Sequence, residues 1–230
     1  AQGVTVLGGF AYSFFRYQVH LAAQNVLAVH DEIAAQFADT FGRRYGEIEA
    51  YQLDDADYVL VMAGSFAMKA KAAIRVLRDE GKRVGLLRLR LIRPLPAATI
   101  AQALAGRRAV AVIDQNLSPG LGGILYQDLA GAILGRSDRP ELVRSFVGGL
   151  GGKDLSLGEF RHIVDVLESG RSETPPGEPE LLFTEAEWRQ MQSMMQLART
   201  DTHGPVHETP GNEPSDTLRT PCELAGASKP

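Results

Sequence analysis

Short β-rich runs alternate with helical segments between about Asp55 and Gly170, and this alternation constrains the fold more than any other feature of the sequence. The predicted strands lie at 58–62, 83–91, 109–113 and 142–147, and the helices between them end at glycines. A capping-box pattern at Ser156 and Glu159 predicts the start of the helix that follows the last strand. The run at 109–113 is apolar on both faces, which is typical of a central parallel strand. We therefore predict an α/β fold with an open, mainly parallel sheet flanked by helices.

Two regions flank this alternating part. From Tyr17 to Phe41 apolar residues recur in steps of three and four, which predicts a long amphipathic helix that must pack on further polypeptide. Residues 171–230 hold 8 of the 12 prolines, so we expect a largely disordered tail. Thr184 and Glu187 form a capping-box pattern and predict a short helix near 184–198. That helix could dock on a partner through Trp188, it could fold back on its own domain, or it could be a marginally stable helix in solution.

Composition excludes several classes of function. A net charge of -4 gives no broad positive field, which disfavours binding to nucleic acid. The single cysteine, Cys222, can form neither a disulfide framework nor a four-thiolate cluster. The sequence contains no apolar run of membrane-spanning length and no signal-peptide pattern, so we expect a cytoplasmic protein. Because the chain starts at Ala1 without Met, we also expect a fragment or a clipped product.

The carboxyl ends of the predicted strands form the edge where an open parallel sheet binds ligands. The candidate residues for an anion or ligand site on these loops are Gly64, Ser65, Asp114, Gly120, Gly122, Gly123, Lys153 and Asp154. Bare amides at helix starts attract anions, but tight strand-to-helix packing also requires glycine, and both interpretations stay open. The sequence has no dinucleotide fingerprint, P-loop or histidine pair at metal-ligand spacing. We therefore predict no catalytic, cofactor-binding or metal-binding residue.

The candidate interface residues are mainly basic. Arg88 and Arg90 lie in the second predicted strand and Arg93 just after it, where alternation would place their guanidinium groups on one face. Such a row could pair with carboxylates of an adjoining domain or subunit, or it could be a solvated strand face. The full set of candidate interface residues is Arg43, Arg44, Tyr45, Arg88, Arg90, Arg93 and Trp188.

An ordered series of motifs resembles a known family. Phe-Gly-Arg-Arg-Tyr-Gly at 41–46, Glu-Ala-Tyr at 49–51, Gly-Ser at 64–65, Arg-Pro-Leu-Pro at 93–96 and Gly-Leu-Gly-Gly-Lys-Asp at 149–154 are similar to the alpha component of pyruvate and related 2-oxoacid:ferredoxin oxidoreductases. The resemblance implies that residues 47–170 are a domain like the transketolase C-terminal domain (core domain II). It also implies that residues 1–46 are a remnant of the thiamine-pyrimidine domain, and that 171–230 are a tail.

The resemblance further implies a non-catalytic, structural part of an enzyme that oxidatively decarboxylates a 2-oxoacid to an acyl-CoA and passes electrons to ferredoxin or flavodoxin. Thiamine diphosphate, Mg and iron–sulfur clusters are then expected in the assembled enzyme, with a thiamine-diphosphate beta component, a gamma component and a ferredoxin-like component as partners. The alternative is a stand-alone α/β module that binds an anionic metabolite or a nucleotide at the Gly64 and Gly122 loops. The motif series makes a transketolase or 2-oxoacid dehydrogenase domain less favoured.

Overall fold

The structure, a computed structural model, describes residues 8–170 and 177–201. In chain order the elements are α1 (Gly9–Phe41), β1 (Ile48–Tyr51), β2 (Tyr58–Ala63), α2 (Phe66–Asp79), β3 (Val84–Leu89), α3 (Ala97–Leu104), β4 (Ala109–Asp114), α4 (Ile124–Ile133), β5 (Leu142–Val147), a 3₁₀ turn (Leu150–Gly152), α5 (Leu157–Ser169), β6 (Glu180–Leu181) and α6 (Glu185–Asp201).

One six-stranded sheet organises the domain, with strand order β1-β3-β2-β4-β5-β6. All neighbouring strands run parallel except β1, which pairs antiparallel with β3 at one edge. The predicted open, mainly parallel α/β fold is therefore confirmed. The strand at 109–113 is central, as predicted: β4 lies between β2 and β5, and all its residues are buried.

A hydrophobic core covers each face of the sheet. Alternate residues of β2 point to opposite faces, so Leu60 packs with α2 and α5, whereas Val59 and Val61 pack with α3 and α4. The α5 side contains the largest buried rings, Phe146 and Phe160. Burial of such a side chain stabilises a fold by about 1.5–3 kcal/mol, so these two layers account for the position of the helices.

The first helix differs sharply from the others. It starts at Gly9 rather than at Tyr17, it is 33 residues long, and Ala34 is its only buried residue. Its exposed large apolar side chains number 11 and lie all along the helix: Phe10, Tyr12, Phe14, Phe15, Tyr17, Val19, Leu21, Val26, Val29, Ile33 and Phe41. An apolar helix of this kind requires a covering surface.

The region after residue 170 contributes to the fold. The predicted helix near 184–198 is confirmed as α6, and both predicted capping boxes form, Ser156 with Glu159 and Thr184 with Glu187. Strand β6 adds to the sheet, which therefore extends beyond residue 170, where the sequence pattern placed the end of the domain. The disorder expected for 171–176 and 202–230, with Cys222, lies outside the described residues.

Candidate functional site

Asp114 ends the central strand β4 and is almost fully buried, with 2% of its surface exposed. Its carboxylate accepts hydrogen bonds from the backbone N–H groups of Leu125 at 2.9 Å and Tyr126 at 3.2 Å, so it caps the start of α4 from the end of the preceding strand. Burial raises the pKa of Asp114 above its ordinary value, and the charge of Asp128 adds to that rise, although the amides of Leu125 and Tyr126 oppose it. The side chain therefore holds the start of α4.

Gly123 belongs to the same arrangement. A Cβ atom at this position would lie 2.1 Å from Asp114 Oδ2, so only glycine lets the carboxylate reach the helix start. The preceding loop closes on itself through paired hydrogen bonds between Ser118 and Gly122, and Gly120 forms its turn with a φ of 78°. Here the packing interpretation of the glycines is favoured over the anion-binding one.

The segment 177–184, which we call the strap, contains β6, pairs with the carboxyl end of β5 and contacts the loop before α4. A Cβ atom on Gly122 would lie 3.0 Å from Pro179, and one on Gly148 would lie 2.9 Å from Leu182. Leu182 is buried to 4% exposure, and its N–H donates to Val147 at 2.9 Å. The strap therefore occupies the space above two of the loops that the sequence nominated as ligand loops.

Lys153 fastens this strap. Its Nζ donates to the carbonyl oxygen of Leu182 at 2.7 Å and contacts carboxylate oxygens of Glu187 at 2.9 Å and Glu159 at 3.2 Å. Glu187 also accepts from the Thr184 N–H and hydroxyl, and these bonds, together with Lys153, lower its pKa from 4.5 to about 2. Lys153 thus joins the loop after β5 to the start of α6, and its ammonium group is used within the chain.

The other loop residues are spread along the same edge. Gly64 lies beside the side chain of Gln115, and Ser65 stands before α2 without a side-chain capping bond. Asp154 pairs with Lys69, and the hydrogen bond from Lys69 holds the pKa of Asp154 below its ordinary value. An open, mostly apolar cavity of about 340 Å³ lies next to this pair and is lined in part by Leu155 and Phe160. The eight candidates therefore share an edge without converging on one site.

Arg88 and Arg90 converge on a single carboxylate that the sequence did not single out as a site residue. Glu49 on β1 faces Arg88 across the antiparallel pair, and its side chain contacts Arg88, Arg90 and Lys71. Burial alone would raise the pKa of Glu49, but the hydrogen bond from Lys71 and the charges of Arg90, Lys71 and Arg88 hold it below its ordinary value. Predicting this cross-strand pair would require the register of β1 against β3, which the sequence pattern does not give.

The remaining interface candidates lie apart from this cluster or at its rim. Arg93 pairs with Asp128 on α4 at 2.7 Å, and Arg44 pairs with Asp31 on α1 at 3.0 Å. Tyr45 packs against Arg90, whereas Arg43 is exposed. Trp188 is half-buried near the start of α6. The structure therefore groups Tyr45 with Arg90, and it separates Arg93 from the other two arginines of the predicted row.

Comparison with known proteins shows which family this chain resembles. The profile of the pyruvate:ferredoxin oxidoreductase core domain II matches residues 56–160, which contain β2 to β5 and the start of α5. Pyruvate synthase subunit PorA of Methanothermobacter thermautotrophicus is 36% identical over 158 residues, 69% of this chain and 40% of that protein. Residues 56–160 of this chain therefore belong to the pyruvate:ferredoxin oxidoreductase core domain II family. The resemblance of the motif series is thereby confirmed.

Other members of the family match the same part of the chain. Pyruvate synthase subunit PorA of Thermotoga maritima is 39% identical over 149 residues, 65% of this chain and 38% of that protein. Ketoisovalerate oxidoreductase subunit VorA of Pyrococcus abyssi is 33% identical over 165 residues, 70% of this chain and 42% of that protein. The chain spans about two fifths of the length of these relatives.

Among solved structures, the 2-oxoglutarate:ferredoxin oxidoreductase from Magnetococcus marinus with 2-oxoglutarate, coenzyme A and succinyl-CoA bound aligns with 58% of this chain and 21% of that chain, at 20% identity and a TM-score of 0.39. Within residues 8–170 and 177–201 of this chain, no group of three or more His, Cys, Asp or Glu side chains is placed to hold a metal ion. The helices of that described part include none that is both long and apolar enough to cross a membrane.

Proposed function

We propose that this chain is a non-catalytic, assembly-forming part of the alpha component of a 2-oxoacid:ferredoxin oxidoreductase, working in the cytoplasm. The complete enzyme would oxidatively decarboxylate a 2-oxoacid to an acyl-CoA and pass the electrons to ferredoxin or flavodoxin. Family membership supports this proposal, and the relatives that match are subunits named for pyruvate and ketoisovalerate.

The observation that carries the assembly role is the exposed apolar surface of α1. A helix with 11 exposed large apolar side chains and one buried residue is not a stable surface for a free protein. We propose that residues 1–46 are the end of a preceding thiamine-pyrimidine domain and that residues 47–170 are a second domain, like the transketolase C-terminal domain. Polypeptide corresponding to the other three fifths of the relatives' length would then cover α1.

The charged residues at the carboxyl edge are used within the chain, Asp114 by the amides of α4 and Lys153 by Leu182 and Glu187, so neither offers a free partner to a diphosphate or its Mg. The single cysteine of the sequence cannot supply the four thiolates of an iron–sulfur cluster. We therefore place thiamine diphosphate, Mg and the clusters on other parts of the assembly. These parts would be a thiamine-diphosphate beta component, a gamma component and a ferredoxin-like component.

The test is reconstitution from the producing organism's own genes. The chain is co-produced with the oxidoreductase genes that neighbour its own and is then purified through a tag on the chain. We expect a stable complex that reduces an electron acceptor only when a 2-oxoacid and coenzyme A are both present, and an inactive free chain. A matched chain with Phe14→Ser and Val26→Ser on α1 should fold and fail to assemble. A free chain that remains monomeric and binds none of these components would contradict the proposal.

A further inference from the structure

Three cations crowd around one carboxylate at the β1 edge of the sheet. Lys71 from α2, Arg88 from β3 and Arg90 just after β3 all contact Glu49 of β1. These side chains are half-buried: 17% of Lys71, 21% of Arg88, 27% of Arg90 and 21% of Glu49 is exposed. We call this group together with Arg75 the basic edge.

The charges of the basic edge do not balance. Taking cations out of water costs free energy unless anions compensate them, and Glu49 supplies one negative charge to three neighbours. Lys82, in the turn between α2 and β3, shows the reverse ratio, because it alone pairs with both Asp165 and Glu168 of α5. The basic edge is therefore short of negative charge in a place where water is partly excluded.

Arg75 adds a fourth cation one helical turn from Lys71. Its Nε donates to the hydroxyl group of Tyr51 at 2.9 Å, which is a neutral acceptor, and the side chain is exposed. A guanidinium group presents five donors in a planar fork that matches a carboxylate. Arg75 can therefore bind a carboxylate that approaches over α2 without disturbing the contacts of Glu49.

The basic edge is continuous with the exposed helix α1. The guanidinium carbon of Arg90 lies 4.7 Å from the ring centre of Tyr45, and the ring of Tyr45 lies 5.7 Å from that of Phe37 on α1. Arginine and aromatic residues are enriched at protein–protein interfaces. Because the surface runs from an apolar helix to a cationic cluster, it is too extended and too apolar for a small anion and fits a polypeptide.

We propose that the basic edge binds carboxylate side chains of the polypeptide that covers α1. The partner presents an apolar surface to α1 and an acidic segment, with two or more Asp or Glu residues, to Arg75, Arg90 and their neighbours. The proposal rests on the proposed function only for the identity of that partner, the other parts of the oxidoreductase. The charge shortage itself is a property of the described residues.

Charge-removing variants test this in the co-produced assembly. Arg75→Gln with Arg90→Gln removes two cations and leaves Lys71 and Arg88 to pair with Glu49, so the domain keeps its fold. Arg136→Gln with Arg161→Gln is the matched control, because it makes the same change in net charge on the loop after α4 and on α5. Circular dichroism and thermal melting establish that all chains are folded.

We expect the first pair to weaken association by about tenfold or more at about 0.15 M salt and to flatten its salt dependence, and the control pair to change it by less than about twofold. Equal behaviour of the two pairs within an intact complex overturns the inference and leaves the proposed function standing. If the wild-type chain joins none of the components, the proposed function fails instead.

Two probes then test the surface by itself, with the free full chain. A deca-glutamate peptide should bind, and Arg75→Gln with Arg90→Gln should weaken that binding by about tenfold; no difference from the control pair overturns the inference. Inorganic phosphate should not compete at millimolar concentration. Saturable binding of phosphate that the same two substitutions abolish would assign the basic edge to a small anion and would also overturn it.

Discussion

The carboxyl edge of the sheet and its β1 edge use polar residues in opposite ways. At the carboxyl edge, Asp114 caps α4 and Lys153 holds the strap, so each charged side chain is satisfied within the chain. At the β1 edge, one carboxylate, Glu49, serves three cations, and the neighbouring helix α1 exposes an apolar surface along its length.

The difference locates the part of the molecule that depends on other polypeptide. An open parallel sheet normally offers its carboxyl edge to a ligand, but here Pro179 and Leu182 fill the space above Gly122 and Gly148. The stand-alone module that would bind a metabolite at the Gly64 and Gly122 loops is therefore disfavoured. The exposed apolar surface of α1 and the three cations that share Glu49 lie at the β1 edge instead, which agrees with a domain that assembles with other polypeptide.

The largest loss of stability at the carboxyl edge should come from Asp114→Ala. The substitution leaves the amides of Leu125 and Tyr126 without acceptors in a buried place, so we expect the free energy of unfolding to fall by about 2–4 kcal/mol in urea denaturation. Asp138→Ala, at an exposed carboxylate paired with Arg136, should cost less than about 1 kcal/mol. Equal losses would mean that Asp114 is free for another role.

Leu182→Ala tests whether the strap belongs to the folded domain. The side chain is buried against Gly148 and Leu155, so its truncation should lower the free energy of unfolding by about 2–3 kcal/mol. Leu134, which is 77% exposed, provides the control, and Leu134→Ala should change stability by less than about 0.5 kcal/mol. A negligible effect of Leu182→Ala would show that the strap does not close the carboxyl edge in solution.

Lys153→Gln should release the strap while the sheet stays folded. We expect a loss of about 1–2 kcal/mol, because the ammonium group is hydrogen-bonded to Leu182 and paired with Glu187. Amide hydrogen exchange should become faster in residues 180–188 and remain unchanged in β2 and β4. Lys82→Gln removes comparable ion pairs between the turn after α2 and α5, and it should leave exchange in 180–188 unaffected.

The smallest effect should be a weakening of the strap in acid. The pKa of Glu187 falls from 4.5 to about 2 in the folded chain, so its stabilising contribution is complete above pH 4.5 and is lost as the pH falls towards 2. The fluorescence of Trp188, the single tryptophan, should report this change, and Glu187→Gln should reduce it to the part that the pair of Glu159 with Lys153 contributes. Asp114 cannot be the cause, because its raised pKa makes its protonated form more favourable in the folded state.

Local sequence patterns were sufficient for most of the fold. Continuous apolar runs marked β2 and β4, glycines marked helix ends, and the spacing of Ser156 and Glu159 marked the start of α5. These signals are local because strand burial, helix termination and capping each depend on a few neighbouring residues. The ordered motif series added the family, which no single pattern could give.

The features that sequence did not reveal depend on distant pairs. Strand β6 has two residues and no periodicity, and β1 has four residues with an antiparallel partner nearly forty positions away. Asp114 was predicted as a candidate ligand residue because it ends a strand, but its partners are amides at the start of α4. Glu49 lay within a family motif, and its role in charge pairing required the register of β1 against β3.

The double use of Glu187 has a practical consequence for anyone who produces this domain. The same carboxylate accepts a hydrogen bond at the start of α6 and pairs with Lys153, which holds the strap. The start of α6 and the contact between the strap and Lys153 should therefore form and be lost together. A truncated gene product ending at Gly170, where the sequence suggests a stop, would lose an edge strand and uncover Leu155. A boundary set after α6 would keep β6 in the sheet and Leu155 covered, and it should give a more stable sample for crystallisation or NMR.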